Sequence, residues 1–146
     1  MSDYCDVGLI RSEMNIKHPG CVGDNLYWGG WSSYAAEQAM EILGISTTIL
    51  SDEDLADYRR LERHRIVICP EMPIVLADQM EGIKEYVNRG GIFITDGNFA
   101  LYRDKELTPW HEPPFGFQDN FLGISVLSTQ VSPQFDAGEP NIAGFI

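Results

Sequence analysis

The sequence predicts an α/β sandwich on a mostly parallel sheet, and three observations carry that reading. Short, nearly continuous apolar runs recur along the chain, as strands covered on both faces require. They alternate with longer segments of helical period, the pattern that parallel strands joined by right-handed crossovers produce. Glycine and proline punctuate the ends of these segments. At 146 residues the chain is expected to form one domain, 1–146, with an irregular tail over 132–146 that ends abruptly, as a truncated chain would.

Asp6-Val7-Gly8-Leu9-Ile10 is the first expected strand. A long loop rich in Gly, Pro and Asn is expected from about Ser12 to Gly30. The segment WSSYAAEQAMEILG reads as a helix, with Ser32 or Ser33 capping its first amides, Ala35, Ala39 and Ile42 on one face, and Gly44 as its stop. Thr47–Leu50, β-branched and short, is the second strand. Ser51 and Asp54 have capping-box spacing for a short helix whose charges form a solvated face.

Arg65–Cys69 is the third strand, halted by Pro70. Leu76, Met80, Ile83 and Val87 recur at helical spacing, and Gly90-Gly91 ends that helix. Ile92–Thr95 is the fourth strand. A short helix over 117–122 and a fifth strand over 125–129 complete the pattern. This order of elements matches a flavodoxin-like three-layer sandwich with strand order 2-1-3-4-5. Ligands in such sheets bind beyond the carboxyl ends of the strands, near the switch point between strands one and three. The loops to inspect are therefore Arg11–Gly30, Pro70–Val75 and Asp96–Lys105.

Composition narrows the function classes. Hydrophobic content of 44% and charged content of 22% fit a soluble globular domain. A net charge of −12 argues against nucleic acid, whose phosphates need surplus Lys and Arg, and against an anionic membrane surface. Uncharged ligands such as sugars remain compatible. Cys5, Cys21 and Cys69 lack CxxC spacing, so no zinc site or disulfide framework is expected. His18 and His64 have no ligand-like spacing to a second His or Cys and are expected at the surface, leaving no metal site. The N-terminus shows no signal-peptide pattern, and no apolar run approaches the ~20 residues of a membrane span; a cytoplasmic location is the expectation.

Three kinds of site are conceivable on such a chain. A flavin or nucleotide would need a Gly-rich phosphate loop leading into a helix, and neither GxGxxG nor GxxxxGK[ST] occurs, so no cofactor is expected. Carbohydrate contact has candidates in Trp28 and Trp31 of YWGGW, in Trp110 and in the amide Asn98, though aromatics at a helix start serve more often as packing anchors. Catalysis has candidates in Asp96 directly after the fourth strand, Glu71 after the third, and His111 in PWHEPP. The simpler reading of Asp96-Gly97-Asn98 is a local turn, with Asp96 capping and Asn98 bonding nearby backbone.

The order of elements resembles the class I glutamine amidotransferase-like superfamily, whose fourth strand ends in a G-x-C-x-G elbow carrying a catalytic Cys. Laid on 92-IFITDGN-98, Asp96 falls at the Cys position, with Ile94 and Asn98 at the two glycine positions. No cysteine follows the fourth strand, so the thiolate that glutaminase chemistry requires is missing. A narrower resemblance is carried by 65-RIVICPEMPIVLADQMEGIKEYVNRGGIFITDGN-98, by YWGGW, and by 115-FGFQDNFLGISV-126. This pattern is similar to the β-galactosidase trimerisation domain. The resemblance implies a noncatalytic domain that packs beside a glycosidase (β/α)₈ barrel and takes part in self-association as a trimer.

The leading expectation is thus an accessory or oligomerisation domain of carbohydrate-active enzymes. Two alternatives stand beside it: a small hydrolase or carbohydrate-binding protein with its site around Asp96, and a small-molecule sensor on the same fold.

Overall fold

The computed structural model describes residues 7–18, 30–95 and 99–108. Four strands form one all-parallel sheet: β1 (Val7–Ile10), β2 (Thr47–Leu50), β3 (Ile66–Cys69) and β4 (Ile92–Thr95), in the order β2-β1-β3-β4. This is the flavodoxin-like order expected from the sequence. The expected helix over 117–122 and fifth strand over 125–129 lie outside the described residues. Central β1 is buried along its whole length, as the apolar run VGLI requires of a strand covered on both sides.

Among the described residues, five helices accompany the strands: α1 (Glu13–Lys17), α2 (Gly30–Ile42), α3 (Asp52–Leu55), α4 (Tyr58–Leu61) and α5 (Ala77–Asn88). Ile10, Leu50, Val67, Cys69 and Phe93 share one face of the sheet by register and pack with Leu55, Leu61, Met80, Ile83 and Tyr86 from α3–α5. Leu9, on the opposite face, is fully buried, and α2 packs against β1. Cys69 is a buried thiol that lies 3.6 Å from Met72 Sδ, as its place in an apolar strand suggested; Cys5 and Cys21 lie outside the described residues.

Several local expectations are met by geometry. The carboxylate of Asp54 accepts hydrogen bonds from the Ser51 amide at 2.8 Å and the Ser51 hydroxyl at 2.9 Å, closing the start of α3. Partial burial pushes the Asp54 carboxyl up, but the bonds from Ser51 and from Arg60 outweigh it and hold the group below the usual carboxylate range. Gly44 ends α2 in the left-handed region (φ 69°), where a Cβ would be strained. Its amide bonds Glu41 O at 3.0 Å and the Ile45 amide bonds Met40 O at 2.9 Å, a Schellman closure.

Three expectations are corrected. The loop after β1 begins with α1, because the Ser12 hydroxyl accepts from the Asn15 amide at 3.1 Å and nucleates a turn. Ser32 and Ser33 lie inside α2 rather than capping it; Ala35, Ala39 and Ile42 do share a face of that helix, and it is turned outward, since Ser33 and Glu37 face the body of the domain. His64 is buried, not on the surface. Its ring lies beside β1, 3.2 Å from where a Cβ on Gly8 would stand, so the glycine leaves room for an imidazole against the sheet.

Buried Tyr86 ties the amino ends of two strands together. Its hydroxyl lies 3.0 Å from both His64 O and Arg65 O and 3.3 Å from Ile92 O, so its single proton has carbonyl acceptors on every side. Burial raises its pKa above 10.0, with the Ile92 carbonyl contact acting the other way. The neutral phenol is therefore the form the fold selects. Its stabilisation is complete below the unfolded-state pKa near 10 and is lost as pH rises through the higher folded value. Tyr86→Phe is expected to lower stability by about 1–2 kcal/mol at neutral pH and to flatten the alkaline limb of a stability–pH profile measured by urea unfolding. An unchanged alkaline limb would assign that limb to another group.

Candidate functional site

The carboxyl ends of β1 and β3 meet at the switch point, where this fold offers a crevice. The chain fills it with its own side chain. Asn15, fully buried on α1, accepts from the Ile74 amide at 2.8 Å and donates to Ile74 O at 2.9 Å and to Ser12 Oγ at 2.8 Å. Both protons of its amide and its carbonyl oxygen are thereby used. Ser12 in turn donates to Asp52 Oδ1 at 2.5 Å, and the other Asp52 oxygen accepts from the Met14 amide at 3.0 Å. Gln79 extends the network from α5, accepting from the Leu76 amide and donating to Asp52 O, both at 2.9 Å.

This arrangement links the residues following β1, β2 and β3 with the start of α5. Its parts were legible only in fragments: Ser12 and Asn15 stand three apart, as a helix start requires, and Gln79 stands three beyond Leu76. Nothing in the sequence signals that Asn15 crosses 59 residues to meet Ile74.

The segments after β3 and β4 also run together. Ile74 and Tyr102 form a parallel bridge, with the Val75 amide bonding Tyr102 O at 3.0 Å and the Tyr102 amide bonding Pro73 O at 2.9 Å. The Ala100 amide bonds Met72 O at 3.0 Å, and His18 Nε2 lies 2.6 Å from Lys105 O. Thr95 Oγ1 donates to Cys69 O at 2.9 Å across the last turn of the sheet. The chain on either side of residues 96–98 is therefore anchored to backbone on the neighbouring loop.

Glu71 stands on the rim of this region. It follows β3 and Pro70, and its backbone is in the left-handed region (φ 46°), uncommon for a residue with a side chain. The Ser32 hydroxyl in the first turn of α2 donates to the Glu71 carboxylate. That first turn carries no acidic residue of its own. Glu71 supplies the negative charge that complements exposed amides at a helix start. A second tie holds α2 in place, the ion pair between Arg11, just past β1, and Glu37.

Of the candidate residues read from the sequence, Glu71 is at the carboxyl edge as expected, and Trp31 falls in the first turn of α2. Asp96, Asn98, Trp28, Trp110 and His111 lie outside the described residues, so the Asp96–His111 pairing is not described. Among the described residues, no cluster of three or more His, Cys, Asp or Glu could hold a metal ion. No described helix is long and apolar enough to cross a membrane. Chemically, the described rim offers a carboxylate held by a hydroxyl, and behind it stands an amide whose bonds are spent on the Ile74 backbone and the Ser12 hydroxyl.

No protein-family model and no curated protein matches the chain. Solved structures do. The fold is similar to a β-galactosidase from Bifidobacterium adolescentis, with a TM-score of 0.64 and 16% identity over 83% of this chain and 54% of that one. It is also similar to Gan42B, a GH42 β-galactosidase, with a TM-score of 0.57 and 16% identity over 73% of this chain and 16% of that one. This chain thus spans about half the length of the first and a small part of the second. At that identity the likeness establishes a shared fold, an α/β unit found within β-galactosidase chains.

Proposed function

We propose that this chain is a noncatalytic accessory and oligomerisation domain associated with β-galactosidase-like, carbohydrate-active enzymes. One observation carries the reading: most of this chain superposes on a β-galactosidase, yet it accounts for only 54% of that chain. The filled switch point supports it, since Asn15 occupies with structural bonds the crevice in which such a fold would take a ligand. So does the sequence of the elbow, where Asp96 stands at the position of a nucleophilic Cys. In this reading the chain folds as one domain over 1–146 and associates with itself or with a glycosidase barrel.

The left-handed backbone of Glu71 favours a second reading, because strain at a strand end is a common companion of a working site. In that case Glu71, Asp96 and Asn98 form the rim of a small hydrolase or carbohydrate-binding site. The two readings separate in one assay. The full chain is incubated with a chromogenic β-galactoside, and its sedimentation is recorded alone and with a separately expressed glycosidase barrel. The accessory reading expects hydrolysis at the buffer rate, unaltered in Asp96→Asn, together with self-association or co-sedimentation. Turnover that disappears in Asp96→Asn, or a monomer that ignores the barrel, would overturn it.

A further inference from the structure

Residues 57–65 carry four arginines against two acids, in a chain whose net charge is −12. The fold gathers arginines at the amino edge of the sheet. Arg65 stands directly before β3, and its carbonyl accepts from the Ile92 amide that opens β4 at 3.1 Å. The Arg89 guanidinium, just past α5, lies 4.3 Å from the centre of the Tyr58 ring of α4, and that of Arg59 lies 5.7 Å from the same ring. Glu62 and Glu85 offset part of this charge beside Arg59 and Arg89. Arg63 and Arg65 are exposed, and among the described residues neither side chain has an ion pair or hydrogen bond. Their charge is the surplus of the cluster.

The opposite end of the same helical layer is acidic. Gln79 donates to Asp52 O at 2.9 Å and so sets the first turn of α3 beside that of α5. Glu53 and Asp78 of those two turns, and Glu81 one turn further along α5, are all exposed. Glu81 has Lys84 at 3.5 Å, whereas Glu53 has no ion pair among the described residues. Helix α5, with 12 residues and a length of about 18 Å, separates the two clusters.

We infer that the arginine edge of one copy receives the acidic edge of the next, so that copies of the chain associate head to tail in a closed trimer. The inference deepens the accessory-domain reading and rests on it, since it gives the self-association a surface. Complementary charge names the occupant. The carboxylates that Arg63 and Arg65 lack within their own copy are presented by the same chain at its other end. Two unlike clusters at opposite edges of the sheet meet between copies arranged head to tail, and a heterologous contact of this kind closes a ring when each copy is rotated against the next.

The residue types fit that use. A guanidinium is planar and weakly hydrated, and it takes a carboxylate through two parallel hydrogen bonds. Arginine beside tyrosine is also the composition that protein interfaces favour.

The test is sedimentation equilibrium of the full chain in about 50 mM and about 500 mM sodium chloride, with charge-exchanged variants. The wild type is expected to be a monomer–trimer equilibrium whose midpoint moves to at least ~10-fold higher concentration in the high salt, because salt shortens the reach of exposed charges from ~10 Å at 0.1 M to ~3 Å at 1 M. The double variant Arg63→Glu, Arg65→Glu is expected to shift the low-salt midpoint at least ~10-fold upward, since acid then faces acid. Glu53→Arg, Glu81→Arg is expected to do the same, although it makes the chain less acidic and would tighten any association limited by overall repulsion. The quadruple variant with both exchanges is expected to recover the trimer, because its two edges have traded signs. All four side chains are exposed, so circular dichroism should stay near wild type, and the wild-type salt dependence needs no variant at all. A wild-type monomer, a dimer, a trimer indifferent to salt or to either exchange, or a quadruple variant no better than the doubles would each overturn the inference. Co-sedimentation of such a protein with a separately expressed glycosidase barrel would leave the accessory role standing while removing this surface from it.

Discussion

Asn15→Ala is expected to destabilise the fold by about 3–4 kcal/mol, among the largest effects of any single substitution in the described chain. The side chain satisfies both the amide and the carbonyl of fully buried Ile74. Truncation leaves two backbone groups without those partners, and each orphaned buried group costs about 1–3 kcal/mol. Asn15→Asp should be as damaging, because a carboxylate sets a second acceptor against Ile74 O where the amide donated. Urea unfolding of the three proteins measures the effect. A loss below 1 kcal/mol for the alanine variant would mean that water enters and replaces the amide.

Gly82→Ala should lower stability by about 2–3 kcal/mol, against the direction that helix propensity alone predicts. Alanine in a helix interior is ordinarily favoured over glycine by about 1 kcal/mol. At Gly82 of α5 an added Cβ would stand 2.0 Å from Leu55 O and 3.0 Å from Ala56 C, at the end of α3. Those are backbone atoms, so no side-chain rotation relieves the overlap and the two helices must separate. The separation would open the packing of Leu55, Met80 and Ile83 in the core. The check is a denaturant midpoint that falls with an unchanged slope. A rise in midpoint would show that α3 gives way freely.

Much of the architecture was written in local sequence. The runs TTIL and IFIT became β2 and β4 at the residues read from them, the described part of the first run became β1, and β3 lost only its polar first residue, Arg65. β1, buried along its whole length, must be apolar throughout, and the β-branched residues of the other runs favour extended backbone. The Ser51–Asp54 closure and the Gly44 stop were equally legible, because their hydrogen bonds join residues three to five apart. The apolar period of α5 reads as it packs, with Met80 and Ile83 buried.

The candidate site was legible only as a location. Strand order pointed to the carboxyl edge between β1 and β3, and Glu71 is there. What stands in that crevice was settled by contacts between distant segments. Asn15 read as a loop residue until Ile74 was set against it, and His64 as a surface residue until Gly8 offered a side-chain-free surface. The same holds for α2: the period of Ala35, Ala39 and Ile42 marks an apolar face, but not which way the helix turns it. The ties of Glu37 to Arg11 and of Ser32 to Glu71 fix that rotation. Sequence by itself determined the four described strands, most of the described helices and their order, because those depend on neighbours along the chain. Tertiary structure decided the filled crevice and the outward face of α2, because both depend on partners that only the folded chain brings together.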